Sequence, residues 1–399
     1  MAKSLPLAGI RVVEFSHMVM GPTCGVILAD LGADVIKVEP IGEGDNTRRL
    51  LGSGAGYFPT YNRNKRSITL DLKSPEGLAL AKKLIASADV MTENFRPGAL
   101  EKQGLGAGPL CAEHARLIYC SLKGFLKGPY EKRAALDEVV QMMGGLAYMT
   151  GPPGRPLRAG ASVNDIMGGM FAVIGILAAL QERQRTGQGQ IIRSGLFESN
   201  MFLVAQHMAQ YAVTGSPAAP MPARISAWAV YDVFETKDQS QIFVGVVSDT
   251  QWKQFCEMFS LNELANDPDL ATNRQRVSAR ERFMPVLREL FAERTRAEIE
   301  NACEAAGLPF APIKSPDQLL DDPHLNFPGA MIEVHLANGD PVRIPALPLE
   351  LKGARLGLRR DLPKAGEHSA EIAQEVGYQQ TEIERLLVNT VIGTPLSTE

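Results

Sequence analysis

Apolar positions along the first half of the chain switch between two periods, and each switch marks an element. Ile10–Phe15 (Ile-Arg-Val-Val-Glu-Phe) reads as a strand. Thr23–Leu31 reads as a helix closed by Gly32, and Asp34–Glu39 as a second strand. Strand, helix and strand within about 30 residues make a βαβ unit with parallel strands. The pattern continues with a short strand at Ser67–Asp71. Ser74-Pro75-Glu76-Gly77 then opens a helix to Ala88, with Ser as cap and Pro at the first helical position. Strands follow at Asp89–Thr92 and Leu117–Leu122. This alternation predicts a Rossmann-like, doubly wound parallel sheet, an α/β large domain over residues 1–214. Two long helices, 166–186 and 195–213, joined by a turn at Arg185–Gln190, close it.

Residues 215–228, opening Gly-Ser-Pro-Ala-Ala-Pro-Met-Pro, read as a linker. A smaller α+β domain is expected over 229–328. It begins with a hairpin, 229–235 and 241–247, and continues with helices near 249–259, 276–293 and 296–306. Paired strands at 331–335 and 341–344 and a helix near 369–388 return the chain to the large domain across 329–399.

Composition narrows the classes. The 399 residues are 45% hydrophobic and 22% charged with a net charge of −4, which fits a globular protein and gives no electrostatic case for nucleic-acid or membrane partners. The five cysteines are dispersed, with no CxxC and no Cys/His metal spacing. They read as reduced thiols of a cytoplasmic protein with no metal ligand set. Met1–Leu7 lacks the apolar core of a leader. The weakly polar run Ile166–Gln181 is short for a membrane span and reads as a core helix. The first strand-to-helix turn carries no GxGxxG and there is no P-loop, which argues against a dinucleotide site of the usual form.

In such sheets ligands sit beyond the carboxyl ends of the strands. The non-generic residues gather there: Ser16-His17-Met18, Glu39-Pro40, Asn94-Phe95-Arg96 and Lys123-Gly124-Phe125. Locally, His17 reads as a cap or packing residue. The basic tract Asn62-Arg63-Asn64-Lys65-Arg66-Ser67 is either a solvated loop or a receiver of phosphates. Asp137 and Glu138 open a helix, where acids complement the dipole. Asp165 is the only charge between Arg158 and Glu182, at the mouth of the apolar helix. It is either an N-cap that satisfies backbone N–H groups or a functional carboxylate in a desolvated pocket.

Taken in order, several blocks resemble the class III (CaiB/BaiF-type) CoA-transferase family, which includes formyl-CoA:oxalate and carnitine CoA-transferases and is related to alpha-methylacyl-CoA racemase. The blocks are Leu7–His17 with Gly21-Pro22, Leu31–Glu39, Asn62–Ser67 with Asp71-Leu72-Lys73, Glu93–Gly98, Asp137–Gly145, Asn164-Asp165, Thr186–Gly189 and Gly366-Glu367-His368. The resemblance implies a Rossmann-type large domain, a small domain and an interlocked homodimer. It implies Asp165 as the nucleophile. It places CoA contacts at His17, Val19 and Met20, at Leu70 and Lys73, at Asn94, Phe95 and Arg96, at Lys102, and at Ala134 and Asp137. CoA enters as substrate, and no permanently bound cofactor is implied.

Such a carboxylate attacks an acyl-CoA to give an aspartyl anhydride, then holds CoA as a thioester that the acceptor acid resolves. Backbone N–H groups of the helix's first turn are expected to stabilise the oxyanions. The racemase branch has a histidine before the acid at 137. Leu136 stands there instead, against the alternative of a 2-methylacyl-CoA racemase. A third alternative is a CoA-binding protein without catalysis. Val19 and the lack of a glycine run at Ile225–Trp228 depart from the oxalate branch. Pro40 replaces a CoA-contacting arginine, leaving Arg48, Lys73, Arg96 or Lys102 for the phosphates. Arg158, Arg224 and the loop 223–228 are candidates for holding the second carboxylate of a small dicarboxylic acid, with succinyl-CoA as donor.

Overall fold

The structure, a computed structural model, describes residues 5–224 and 226–395. Most of the expected leader-free start (Met1–Ser4) and Ile225 of the candidate loop lie outside that range. The chain divides into two compact units, Met1–Pro222 with Pro323–Glu399, and Ala223–Asp322.

The first unit runs β1 (Arg11–Phe15), α1 (Met20–Asp30), β2 (Asp34–Glu39), α2 (Tyr57–Tyr61), β3 (Lys65–Thr69), α3 (Pro75–Ala86), β4 (Val90–Glu93) and α4 (Ala107–Glu113). It continues with β5 (Ile118–Lys123), α5 (Asp137–Met143), α6 (Leu146–Thr150), α7 (Val163–Thr186), β6 (Ile191–Gly195) and α8 (Leu196–Thr214). The six strands form one sheet in the order β3-β2-β1-β4-β5-β6, with every pair parallel. This is the doubly wound arrangement expected from the alternating pattern. Strand order reverses at β1, where Val13 pairs with Ile36 on one side and Met91 on the other. A crevice at the carboxyl ends of β1 and β4 follows from that reversal.

Both faces of the sheet are covered, which is why its strands are apolar without alternation. Val13 and Met91 pack with Leu80 and Leu84 of α3, and Val12 packs with Leu28 of α1 and Ala172 and Ile176 of α7. The sixth strand was absent from the pattern. Gln190-Ile-Ile-Arg-Ser-Gly has one short apolar pair, and as an edge strand β6 is largely exposed over its first half, so burial imposes little signature on it.

The basic tract is neither a solvated loop nor a phosphate receiver: Asn62 through Ser67 are all buried. Arg63 pairs with Asp30 at 2.6 Å, and Lys65 with Glu14 at 2.9 Å. Arg66 pairs with Asp34 at 2.6 Å and Glu375 at 2.7 Å. Lys37 is also buried, 2.8 Å from Asp45, and burial lowers the Lys65 ammonium to a pKa of about 8 against the pull of Glu14.

In the second unit β7 (Val230–Glu235) and β8 (Gln241–Val246) form the expected hairpin. α9 (Asp249–Met258), α10 (Asn262–Asn266), α11 (Asn273–Ser278), α12 (Arg280–Ala292) and α13 (Arg296–Ala305) follow. β9 (Phe310–Pro312), outside the elements expected from sequence, adds to the free edge of β8. The core is Phe234, Phe255, Phe283 and Phe291 with Trp252. The helix expected at 276–293 is split at Ala279 into α11 and α12.

Back in the first unit, β10 (Met331–His335) pairs antiparallel with β11 (Pro341–Pro345). The single helix expected at 369–388 is two, α14 (Ser369–Glu375) and α15 (Gln380–Val388). They are broken at Gly377, whose φ of 96° lies in the left-handed region. The segments around α14 and α15 then lie along the outer edge of β3. His368 N–H donates to Ser67 O at 2.9 Å, Asp71 N–H to Val391 O at 2.9 Å, and Gly393 N–H to Thr69 Oγ1 at 3.1 Å.

Candidate active site

The strand ends at the reversal point are built from reciprocal bonds. His17 N–H donates to Asn94 Oδ1 at 3.1 Å, and Asn94 Nδ2 donates to His17 O at 2.7 Å. The His17 and Phe95 rings lie 5.5 Å apart. Glu93 holds this loop from below: it accepts from Phe95 N–H at 3.0 Å and pairs with Lys123 at 2.7 Å, while Lys123 donates to Phe95 O at 2.7 Å. Ser121 Oγ also donates to Glu93. Met18, in the turn after β1, has a positive φ of 63°. The chain then doubles back so closely that a Cβ on Gly21 would stand 2.3 Å from Ser16 Cβ, which explains a glycine there.

α1 and α7 cross at this end. A Cβ on Gly169 would stand 2.7 Å from Met20 O and 2.8 Å from Thr23 Cβ, so only glycine admits the approach. Val19 and Met20 are themselves buried, and what they present is the first-turn backbone of α1, which carries no acidic side chain. Asp165 projects from the first turn of α7, one turn before that crossing.

Asp165 is not the cap of its helix. The N-cap is Ser162, which makes no side-chain cap bond. The capping carboxylate comes from α5: Asp137 Oδ2 accepts from Asn164 N–H at 2.8 Å and from Asp165 N–H at 3.2 Å. Asp137 is buried, and its Oδ1 accepts from Gln141 Nε2 at 2.5 Å. Gln141 Oε1 in turn accepts from Ala159 N–H at 2.8 Å. Asn164 Nδ2 donates to Asn200 Oδ1 at 3.2 Å, and Asn200 Nδ2 to Gly144 O at 2.6 Å, tying α7 to α8 and α5. The expectation that α7's first-turn N–H groups stand ready for an oxyanion is therefore corrected. Those of Asn164 and Asp165 serve Asp137, and those of Val163 and Ile166 donate to Ala161 O and Ser162 O.

The Asp165 carboxylate itself has no hydrogen bond or ion pair among the described residues, and it is partly buried. Burial raises its pKa to about 7. The Asp137 charge pushes the same way, and the Arg158 guanidinium opposes both. The Tyr61 phenol on α2 is raised by burial and then by the Asp165 charge. Arg158 is loosely held, 3.8 Å from Asp137 and 3.5 Å from Glu138, with 36% of its side chain exposed.

The other sequence candidates divide. His17, Asn94 and Phe95 meet at the reversal point. Lys73, Arg96 and Lys102 are exposed and form no ion pair among the described residues, so their charge is available to an anion. Arg48 is not: it grips Glu39 at 2.6 and 2.7 Å, donates to Pro363 O at 2.8 Å and stacks on Phe58. Leu70 is in the core, bridged to Ile392, so a ligand contact there would fall to its backbone. Ala134 is exposed, whereas the Asp137 side chain is committed to α7. Leu136 is 68% exposed at the mouth of α5. Arg224 opens the second unit beside Ile225, outside the described residues.

Residues 7–369 match the CoA-transferase family III model. The chain belongs to that family. This CoA-transferase is 34% identical over 383 residues to the succinate–glutarate CoA-transferase of Agrobacterium fabrum, covering 93% of this chain and 96% of that one. It is 33% identical to the succinyl-CoA–D-citramalate CoA-transferase of Chloroflexus aurantiacus, covering 97% and 98%. Among solved structures, a CAIB/BAIF family protein from Brucella suis superposes with a TM-score of 0.83 at 36% identity, over 94% of this CoA-transferase and all of that chain. The sequence resemblance thus named the right family.

Proposed function

We propose that this enzyme moves CoA from succinyl-CoA to a small dicarboxylic acid, with Asp165 as the nucleophile. The observation that carries the reading is a partly buried carboxylate with no protein partner for its own oxygens, at the mouth of a helix whose donors are already taken. An Asp165 oxygen attacks the thioester carbonyl. A C–O bond forms, the C–S bond breaks, and CoA leaves as thiolate with the electron pair, giving a mixed anhydride. The thiolate attacks the aspartyl carbonyl, the donor acid leaves as carboxylate, and aspartyl-CoA remains. The acceptor carboxylate runs the same two steps in reverse. Both intermediates hydrolyse, so a desolvated helix mouth suits them. The first-turn N–H groups of α1, around Met20 and Gly21, are the donors left for the oxyanions.

Succinyl-CoA and dicarboxylic acceptors are the substrates in the names of the two relatives above, and both carry a free distal carboxylate. Arg158 fits that carboxylate because, beyond its Nε bond to Ala159 O at 3.2 Å, its acidic partners lie at 3.5 and 3.8 Å and do not saturate its guanidinium. His17, Asn94, Phe95, Lys73, Arg96 and Lys102 line the approach for CoA. Two chains pair through α7 and α8, whose outer faces expose Ile174, Phe202 and Met208. The dispersed, unpaired thiols suit a cytoplasmic enzyme.

The test is trapping. Wild type incubated with succinyl-CoA and then hydroxylamine or borohydride should carry its modification on Asp165 alone, read by peptide mass spectrometry. Transfer activity retained in Asp165→Ala would sink the reading. A racemase predicts solvent deuterium entering the alpha position of a 2-methylacyl-CoA without any acceptor acid. The side chains whose charges act on Asp165 are Asp137 and Arg158, neither an imidazole, which disfavours that route.

A further inference from the structure

The geometry points to Asp137 as the positioning residue of the transfer: its carboxylate occupies the backbone donors of the helix that carries Asp165, leaving the Asp165 oxygens unpaired beside a second negative charge. The inference rests on Asp165 being the nucleophile and adds how it is kept reactive.

A helix N-terminus is a strong sink for an anion, because its N–H groups are orphaned and the dipole is positive. A carboxylate in the first turn would ordinarily fold back on those groups, lose basicity and point its lone pairs at its own backbone. In α7 that position is already filled. Asp137 Oδ2 sits 2.8 Å from Asn164 N and 3.2 Å from Asp165 N. The second Asp137 oxygen is held by Gln141 at 2.5 Å, and Gln141 is itself anchored to Ala159 N–H at 2.8 Å. The arrangement fixes Asp137 from both ends, and Gly144 and Asn200 brace the helix mouth behind it.

The consequence is directional. When Asp165 attacks a thioester, its negative charge departs to the sulfur, so the repulsion with Asp137 is relieved as the C–O bond forms. The partner charge therefore destabilises the free carboxylate more than the acylated one, and favours formation of both covalent intermediates. The charged or titratable groups that interact with Asp165 are Asp137 from α5, Arg158 from the loop before α7, and Tyr61 from α2, while Glu138 contacts Arg158. Arg158 works in the opposite sense to Asp137.

The experiment is the titration of Asp165 in free enzyme, read as the carboxyl C=O stretch in infrared difference spectra against Asp165→Asn. The pH profile of kcat with succinyl-CoA and glutarate runs beside it. In Asp137→Asn both the titration and the acidic limb of kcat should move down by about one pH unit or more. The kcat should fall roughly tenfold to a hundredfold, with a smaller change in the KM for succinyl-CoA. Asp137→Glu should restore the limb toward wild type, and Arg158→Met should move it up. If Asp137→Asn does not fold, Asp137→Ser keeps one acceptor without the charge and should shift the titration in the same direction. An unchanged titration in either neutral variant overturns the inference, whatever the rate. Failure to trap wild-type Asp165 would instead overturn the nucleophile assignment, which the infrared titration does not depend on.

Discussion

Asp165 carries its negative charge in a place that opposes it, and that opposition is a stability cost. Its folded pKa of about 7 lies above the 3.8 of an unperturbed aspartate, so the cost is absent below the lower value and complete above the higher one. Asp165→Asn should therefore match wild type in stability near pH 4 and exceed it at about pH 8, measured as urea midpoints at both pH values. A loss of stability at the higher pH would mean that the carboxylate is stabilised by partners instead. Selectivity is the proposed role of Arg158. Arg158→Met should cost succinyl-CoA and glutarate about 1.5–3 kcal/mol more transition-state stabilisation than monocarboxylate pairs, which share only the shift in the Asp165 titration. Competition between glutarate and a C5 monocarboxylate reads that ratio. At this scale the sequence singled out Asp165 as a candidate and Leu136 as a departure from the racemase pattern, because both lie in local motifs. It did not disclose that Asp137 caps α7, since a cap supplied from another helix leaves no spacing to read.

The crossing of α1 and α7 sets where Asp165 stands, and it depends on Gly168 and Gly169. A methyl group on Gly169 meets a backbone carbonyl at 2.7 Å, which cannot swing aside as a side chain would. Gly169→Ala should cost about 1–3 kcal/mol of stability and displace the helix mouth, so kcat falls more than KM rises. A thermal melt together with steady-state kinetics decides this, and an unchanged kcat would uncouple the crossing from the site. Periodicity located α1, α3, α7 and β1 to β5 because each buries a continuous face. It missed β6, which is an edge, and β9, which is three residues long. It also fused α14 with α15, since Gly377 sits in a helical pattern that only its positive φ interrupts.

For the whole molecule, the doubly wound sheet was legible from alternation alone, and the ordered motifs supplied the family. The buried charges were not legible: Lys37, Lys65 and Arg66 read as surface residues by type, and only long-range partners such as Glu14, Asp45 and Glu375 explain their burial. Under the proposed pairing, the exposed apolar faces of α7 and α8 meet across the two chains. Phe202 is 69% and Ile174 59% exposed, on helices whose other sides are packed. Sedimentation should give twice the chain mass for wild type, and Ile174→Glu with Phe202→Glu should yield a monomer or an aggregate. A wild-type monomer at micromolar concentration would refute the pairing.

The strap along β3 bears on the order of events during synthesis. Residues 366–393 bond to Ser67, Thr69 and Asp71, and Glu371 and Glu375 neutralise Arg66. More than three hundred residues separate Arg66 from Glu375, so the outer edge of the first sheet stays open until that later segment has left the ribosome. Until then a row of backbone groups on β3 is unpaired, and the Arg66 guanidinium has Asp34 but neither Glu371 nor Glu375. The early half of the polypeptide thus waits for residues 366–393, and acquires its final sheet edge only once they have emerged.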